Sequence, residues 1–297
     1  MNTTAMLKPN TVPGPVALRA RGRFIPLDAG PLIMGVLNVT PDSFSDGGRY
    51  LDPGAAVDHA VEMAAQGADL IDIGAESTRP GADPVDQEEE RRRLIPVVRA
   101  VCRAVSVPVS VDTTKAAVAR LALEAGAALV NDISALRYDS GMKTLVAETG
   151  AGLVLMHMQG TPKTMQQAPS YRDVIEEVRQ FFVERIGTAL EAGIAAEQIL
   201  LDPGIGFGKN LEHNLTLLAR LDAFVALGYP VLVGVSRKAF IGQVLARPVD
   251  DRLMGTAAAV AVAILRGARV IRVHDVAPLR DLVKTVDAIV RCGTNPG

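Results

Sequence analysis

Short apolar runs alternate with amphipathic segments along almost the whole chain. Each run of β-branched and aliphatic residues is followed by a turn and then by a segment rich in Ala, Leu, Glu and Arg. The first pattern is typical of buried parallel strands, and the second of helices that pack through one face. Strands are predicted at 32–38, 70–74, 108–112, 128–132, 152–157, 199–202, 231–235 and 269–273. Helices are predicted at 53–66, 87–105, 115–125, 140–149, 170–192, 210–227, 251–266 and 276–291.

This alternation predicts an α/β fold. Eight strand–helix units in about 260 residues match a (β/α)8 TIM barrel, in which eight parallel strands lie inside a ring of helices. An open, doubly wound sheet is the alternative, but the pattern shows no sign of a reversal in strand order. We expect a flexible N-terminal lead over 1–20, one barrel domain over 21–291 that begins with a short hairpin at 21–28, and a polar tail over 292–297.

Bulk composition narrows the classes of function. The 297 residues are 48% hydrophobic, which allows a large core, and the formal net charge is −2. This charge argues against nucleic-acid or membrane-surface binding driven by bulk electrostatics. No apolar run reaches the length of a membrane span, and residues 1–15 lack the apolar core of a signal peptide, so a cytoplasmic location is expected. Neither of the two cysteines, Cys102 and Cys292, has the spacing of a metal motif.

Polar residues stand at the carboxyl end of every predicted strand, where barrel enzymes keep their active sites. On one side are acceptors, Asp112, Asn131 and Asp202, which suit a flat heterocycle rich in N–H groups. A single polar strand end is often only a helix cap, and Asp112 could cap the following helix. Eight polar ends together indicate a site, since buried charge is costly without a partner.

Cations from the last two strands indicate an anion. Lys238, Arg272 and His274 follow predicted strands 7 and 8, the corner of a barrel that often holds phosphate. Asn38, at the end of the first strand, suits an oxygen-ligated Mg2+ or a direct phosphate contact. The polar loops at 38–48 and 76–82 are expected to close over the bound ligands. The charged run 88–93 is interpreted as a solvated helix face, and His157 as either a packed histidine or a site residue.

The chain resembles dihydropteroate synthase over about residues 20–290. Eight blocks carry the resemblance, in order and at strand ends: MGVLNVTPDSFSDGG (34–48), IDIGAESTRPGA (71–82), SVDTTK (110–115), NDIS (131–134), LMHMQGTPKTMQ (155–166), LDPGIGFGK (201–209), GVSRKAFIG (234–242) and IRVHDV (271–276).

The resemblance implies a transferase of folate biosynthesis that joins 7,8-dihydropterin-6-ylmethyl diphosphate to 4-aminobenzoate, releasing pyrophosphate. The residues that it assigns to the pterin are Asp112, Asn131, Asp202 and Lys238. To the diphosphate it assigns Asn38, Arg79, Arg272 and His274, with Mg2+ near Asn38. To the aminobenzoate it assigns Thr78, Pro80, Phe44 and Phe207. The family often has a hydroxyl residue after the lysine, where this chain has Ala239, so Ser236 and backbone N–H groups are expected to compensate.

A dissociative, SN1-like mechanism is expected, because aminobenzoate is a weak nucleophile and no residue is placed as a strong base beside it. The alternatives are a pterin-binding methyltransferase, which would not need the cationic corner, and a non-catalytic pterin-binding paralogue. The apolar segment 255–263 predicts burial between two protomers of a homodimer.

Overall fold

The computed structural model of the protein describes residues 15–39, 53–77 and 81–294. An antiparallel hairpin precedes a barrel of eight parallel strands, with helices in between. The strands are β1 (Ala17–Ala20), β2 (Arg23–Pro26), β3 (Leu32–Asn38), β4 (Leu70–Gly74), β5 (Val109–Asp112), β6 (Leu129–Asp132), β7 (Gly152–Met156), β8 (Ile199–Asp202), β9 (Leu232–Gly234) and β10 (Val270–Val273). The helices are α1 (Pro53–Ala65), α2 (Gln87–Ala104), α3 (Ala116–Glu124), α4 (Gly141–Thr149), α5 (Val174–Glu191), α6 (Leu211–Ala219), α7 (Asp222–Val225), α8 (Ala239–Leu245), α9 (Leu253–Leu265) and α10 (Val276–Thr294).

The strand order establishes a barrel and excludes the open sheet. The strands of the large sheet follow one another as β8-β7-β6-β5-β4-β3-β10-β9, so the first and last strands of the barrel are paired. The remaining seam, between β8 and β9, is joined by a bridge between Leu201 and Val231 and by a hydrogen bond from Leu201 N to Pro230 O (3.0 Å). The predicted (β/α)8 architecture is confirmed.

Side-chain alternation divides each strand between two environments. Residues such as Ile33, Ile71 and Val111 pack outward in one large core with the helices. Met34 and Leu70 instead belong to a separate apolar cluster inside the barrel. Because successive residues of a strand point to opposite faces, the inner positions that follow these two, further along each strand, also face the barrel interior.

The hairpin closes the amino-terminal end of the barrel. Four apolar side chains of the hairpin segment join the inner apolar cluster: Leu18, Ala20, Ile25 and Leu27. The side chain of Arg21, in the turn, donates hydrogen bonds to the carbonyls of Leu123 and Ala127. The barrel interior at the amino-terminal end of the strands is therefore packed with apolar side chains. The polar side chains of the interior lie at the carboxyl-terminal end.

The eight predicted barrel strands agree with the structure to within one residue at each end, but two predictions about other elements were wrong and one helix was not predicted. The hairpin begins at Ala17, not residue 21, with the turn at Arg21 and Gly22. The helix predicted at 210–227 is two helices, α6 and α7, and α8 was not predicted. The domain boundaries stay predictions. No helix within the described parts of the chain is both long and apolar enough to cross a membrane.

Candidate active site

Four polar side chains, from β4, β5, β6 and β10, meet inside the carboxyl-terminal end of the barrel. Arg272 of β10 donates from Nε to Asp72 Oδ2 (2.7 Å) and from Nη2 to Asp112 Oδ2 (3.3 Å). Asn131 of β6 donates from Nδ2 to the same oxygen of Asp72 (3.0 Å). The pairing of β5 with β6 places Asp112 beside Asn131. The structure thus brings three predicted site residues, Asp112, Asn131 and Arg272, into one hydrogen-bonded group around Asp72.

This group is electrostatically unusual because one guanidinium serves two buried carboxylates. Burial and the nearby Asp72 carboxylate raise the pKa of Asp112 to about 8, although Arg272 opposes the shift. The pKa of Arg272 is raised, since the two carboxylates outweigh the effect of burial. Asp112 is therefore held at the barrel centre by Arg272 and does not cap α3, whose first N–H, that of Ala116, donates to Asp139 Oδ2 (2.8 Å).

Buried acceptors face the middle of the barrel. Asp72 Oδ1 and Asn131 Oδ1 are buried and have no hydrogen-bond partner among the described residues. A buried polar atom without a partner is costly, and such atoms are characteristic of sites that bind a ligand. Both oxygens suit a ligand that presents N–H groups.

Asp202 and Lys238 form the opposite wall. Asp202 ends β8 and is buried, and its Oδ1 accepts a hydrogen bond from Gly204 N (2.8 Å). Burial raises the pKa of Asp202, against the opposing effect of Lys238. Burial also lowers the pKa of Lys238 to about 8, partly offset by Asp202. The Lys238 ammonium donates to the carbonyl of Ile205 and lies 4.6 Å from the centre of the Phe207 ring. Asp202, Lys238 and Phe207, all predicted site residues, are brought together here.

The loop that presents Phe207 lies against the loop after β7. Gly204 has φ +65°, and a Cβ there would lie only 1.9 Å from the carbonyl oxygen of His157. Gly208 has φ +63°, and a Cβ there would lie 2.5 Å from the Gln159 carbonyl oxygen. Only glycine combines the left-handed conformation with such a close approach. His157 is a packed histidine: its ring makes an edge contact with Phe181, and burial lowers its pKa to about 2.

Ser236 and His274 complete the cationic corner. Ser236 is buried after β9, and its Oγ accepts a hydrogen bond from His274 N (3.2 Å) and lies 3.0 Å from His274 Nδ1. Arg237, between Ser236 and Lys238, is turned to Asp275, with a hydrogen bond of 2.9 Å from its Nε. The side chain of Asn38 is half-buried at the end of β3, beside Gly74 of β4. The predicted site residues Phe44, Thr78, Arg79 and Pro80 lie outside the described residues, as do most of the loops that carry them.

One charged residue behaves differently from its prediction. Glu90, in the run 88–93 that we interpreted as solvated, is fully buried and pairs with Lys115 (2.5 Å). Lys115 also pairs with Glu76 (2.6 Å), so this lysine joins α2 to the base of the loop after β4. Asp132 is a turn-capping residue, because its carboxylate accepts hydrogen bonds from Ser134 N and Leu136 N.

Sequence reasoning gave little weight to Asp72 and none to Lys209. Asp72 is a buried interior charge that pairs with Arg272. Its importance follows from alternation, since it shares the inner face of β4 with Leu70. Lys209 is buried, and its role depends on contacts between loops that are far apart in sequence.

Comparisons with known proteins agree with this site. The family described as pterin binding enzyme matches residues 34–274. The dihydropteroate synthase of Escherichia coli K12 is 50% identical over 265 residues, covering 89% of this chain and 94% of that protein. The dihydropteroate synthase of Synechocystis sp. is 47% identical over 260 residues, covering 87% and 90%.

Solved structures agree as well. The Yersinia pestis dihydropteroate synthase in complex with a sulfonamide drug has a TM-score of 0.87 and 47% identity, covering 93% of this chain and 99% of that one. The Xanthomonas albilineans dihydropteroate synthase with 4-aminobenzoic acid has a TM-score of 0.86 and 46% identity, covering 94% and 100%. The sequence resemblance is confirmed: the chain belongs to the pterin-binding enzymes and, among them, to the dihydropteroate synthases, the transferases of folate biosynthesis.

Proposed function

We propose that this chain condenses 7,8-dihydropterin-6-ylmethyl diphosphate with 4-aminobenzoate to give 7,8-dihydropteroate and pyrophosphate. The observation that carries the proposal is the pairing of two groups in one barrel mouth: buried acceptors on β4, β5, β6 and β8, and cations on β10 and after β9. The family membership supports the same reaction.

The acceptors are suited to the pterin ring. The carboxylate of Asp202 and the amide oxygen of Asn131 would accept from its N–H groups, and the Lys238 ammonium would donate to its carbonyl. The resemblance assigns Phe207 to the aminobenzoate, but the centre of its ring lies 4.6 Å from the ammonium of Lys238, so we place its aromatic face against the pterin as well. A methyltransferase would use the same ring pocket without the cationic corner, and the relatives with high identity are dihydropteroate synthases.

Departure of the leaving group would be the difficult step. The C–O bond to the diphosphate breaks first, its electron pair leaves with the pyrophosphate, and the ring nitrogen lone pairs stabilise the methylene cation. The amine of aminobenzoate then forms the C–N bond and loses a proton. The Asp202 carboxylate and the ionised form of Asp112 would favour the developing positive charge, and Arg272 and His274 would favour the departing anion.

The orientation of Arg272 limits how it can meet the diphosphate. Asp72 and Asp112 already engage Nε and Nη2, so these two nitrogens are directed at carboxylates. Among the described residues, the remaining nitrogen, Nη1, has no hydrogen-bond partner, and it is the group of Arg272 that we assign to the substrate. Its contribution is mainly charge.

Mg2+ is proposed as the metal. Asn38 fits it, because Mg2+ is typically held by one or two protein oxygens together with water and substrate phosphates, and the half-buried Asn38 amide offers an oxygen at the mouth of the barrel. When bound, the metal would neutralise charge on the diphosphate.

A homodimer is proposed from the surface of α8 and α9. Apolar side chains are exposed on or next to these helices: Val244, Leu245, Leu253, Met254, Val262 and Leu265. Met254 is 79% exposed, which is unusual for a large apolar residue in a group of this size. We expect sedimentation to show a dimer, which Met254→Asp weakens while the exposed-site control Val183→Asp does not. A wild-type monomer would contradict the proposal.

One assay tests the reaction. The purified protein is incubated with the pterin diphosphate, labelled 4-aminobenzoate and Mg2+, and labelled dihydropteroate is expected only when both substrates are present. Chelation of the metal should stop turnover, and restored Mg2+ should recover it. Absence of the labelled product from a folded protein would overturn the proposed function. The cytoplasmic location stays a prediction that cell fractionation can test.

A further inference from the structure

Lys209 is a buried lysine whose nearest described hydrogen-bonding neighbours are neutral groups, although the Asp202 carboxylate acts on its pKa. It follows β8 at the end of the glycine-containing loop 203–208 and is 2% exposed. It forms no salt bridge with any carboxylate in the described parts of the chain. Instead, its Nζ lies 2.9 Å from His157 Nδ1, 2.9 Å from Phe207 O and 3.4 Å from His157 O.

These three neighbours satisfy the amino group in either protonation state. An ammonium has three N–H donors, which match two carbonyl oxygens and an unprotonated Nδ1. A neutral amine would donate to the two carbonyls and accept from a protonated Nδ1. Burial lowers the pKa of Lys209 well below its ordinary range, against the opposing effect of Asp202. The bonding geometry is the same in both cases.

The contacts of Lys209 join two loops of the site. The loop after β8 carries Phe207, and the loop after β7 begins at His157, whose N–H donates to Asp202 O (2.9 Å). Phe207 lies under the ammonium of Lys238, and Ile205 of the same loop accepts a hydrogen bond from that ammonium. A shift of the Phe207 backbone would therefore move both the aromatic ring and the partner of Lys238.

We propose that Lys209 is a positioning residue for the pterin site, which holds the backbone of Phe207 against the loop of His157 so that Phe207 and Lys238 stand in place for the substrate. The inference rests on the proposed function. It predicts that Lys209 acts on pterin recognition through Phe207, without contacting the substrate.

The test first compares two single variants. Lys209→Met removes the donors at similar length, and we expect the KM for the pterin diphosphate to rise between about tenfold and a hundredfold, with a smaller change in kcat. Tyr171→Phe is the matched control, because the Tyr171 hydroxyl donates to the Gly208 carbonyl (2.8 Å) in the same loop but not to Phe207. It should leave the KM within about twofold.

A double mutant separates positioning from general weakening. In a Phe207→Ala background, Lys209→Met should add little to the pterin KM, since the group through which it acts is already gone. Full additivity, or a wild-type KM in folded Lys209→Met, would overturn the inference. If Lys209→Met does not fold, Lys209→Gln is measured by the same criteria. An inactive wild-type protein would overturn the proposed function instead, whatever the variants do.

Discussion

Replacing Arg272 by Met should lower the folding stability of the protein, because Arg272 compensates two acidic side chains in the barrel mouth. The substitution removes the cation from between Asp72 and Asp112 and leaves two buried carboxylates facing each other without compensation. Breaking a buried ion pair by removing one partner costs about 3–5 kcal/mol. At roughly 2 °C per kcal/mol for a chain of this size, the unfolding midpoint should fall by about 6–10 °C.

The loss should depend on pH in a definite direction. The pKa of Asp112 is already raised to about 8, so the folded protein holds an extra proton above the ordinary carboxyl range. A raised folded-state pKa stabilises the protein at low pH, and this stability is lost as pH rises through that pKa. Without Arg272, which opposes the shift, Asp112 holds its proton to still higher pH. The deficit of the variant should therefore be larger at pH 8.5 than at pH 6.

Urea denaturation at the two pH values measures this deficit directly. The double variant Arg272→Met and Asp72→Asn should recover part of the stability, since one unpaired charge is gone. The activity, kcat/KM, of Arg272→Ala should fall at least about tenfold, or about 1.4 kcal/mol. A stability of Arg272→Met within about 1 kcal/mol of wild type at pH 8.5 would refute the reasoning, as would a deficit that is the same at both pH values.

Three further outcomes are expected. Asp202→Ala should lose pterin binding in calorimetry while its circular dichroism stays native; unchanged affinity would remove this carboxylate from the pocket. Since the pKa of Lys238 is lowered to about 8, pterin affinity should weaken as pH rises through that value, and Lys238→Met should flatten the dependence. Gly204→Ala should destabilise the protein by more than about 2 kcal/mol, because its Cβ would clash with the His157 carbonyl. In Gly150→Ala, with a similar φ of +64° and nothing within 4 Å of the added Cβ, the loss should be about 1 kcal/mol; equal losses would rule out the clash.

The barrel was predictable because each of its strands is buried on both faces. Such strands are short, continuous apolar runs with sharp polar ends, and the runs at 32–38, 70–74 and 199–202 coincide with β3, β4 and β8. The helix α8 was missed because its seven residues are too few to show a helical period. The hairpin was placed late because its strands are only four residues long.

The sequence could predict which residues lie in the site, but it could not predict which of them form hydrogen bonds or ion pairs with one another. Strand ends identify which side chains share the barrel mouth. They do not reveal that Arg272 donates hydrogen bonds from two of its nitrogens to Asp72 and Asp112. The burial of Glu90 was missed for the same reason, because it depends on a partner that is distant in sequence. Its partner Lys115 comes from another unit of the barrel, and a charged run on a helix is normally solvated.

The pairing of β8 with β9 is the weakest in the barrel, and it affects how a bound ligand should change local stability. Where neighbouring strands elsewhere share several backbone hydrogen bonds, β8 and β9 meet at an isolated bridge, and Pro230 there has no N–H to donate. Asp202 is the last residue of β8, on one side of this seam, and Lys238 follows β9, on the other side. A pterin ring bound by both Asp202 and Lys238 would link β8 to β9 across this seam. The ligand-bound protein should therefore exchange the Leu201 amide hydrogen more slowly than the ligand-free protein.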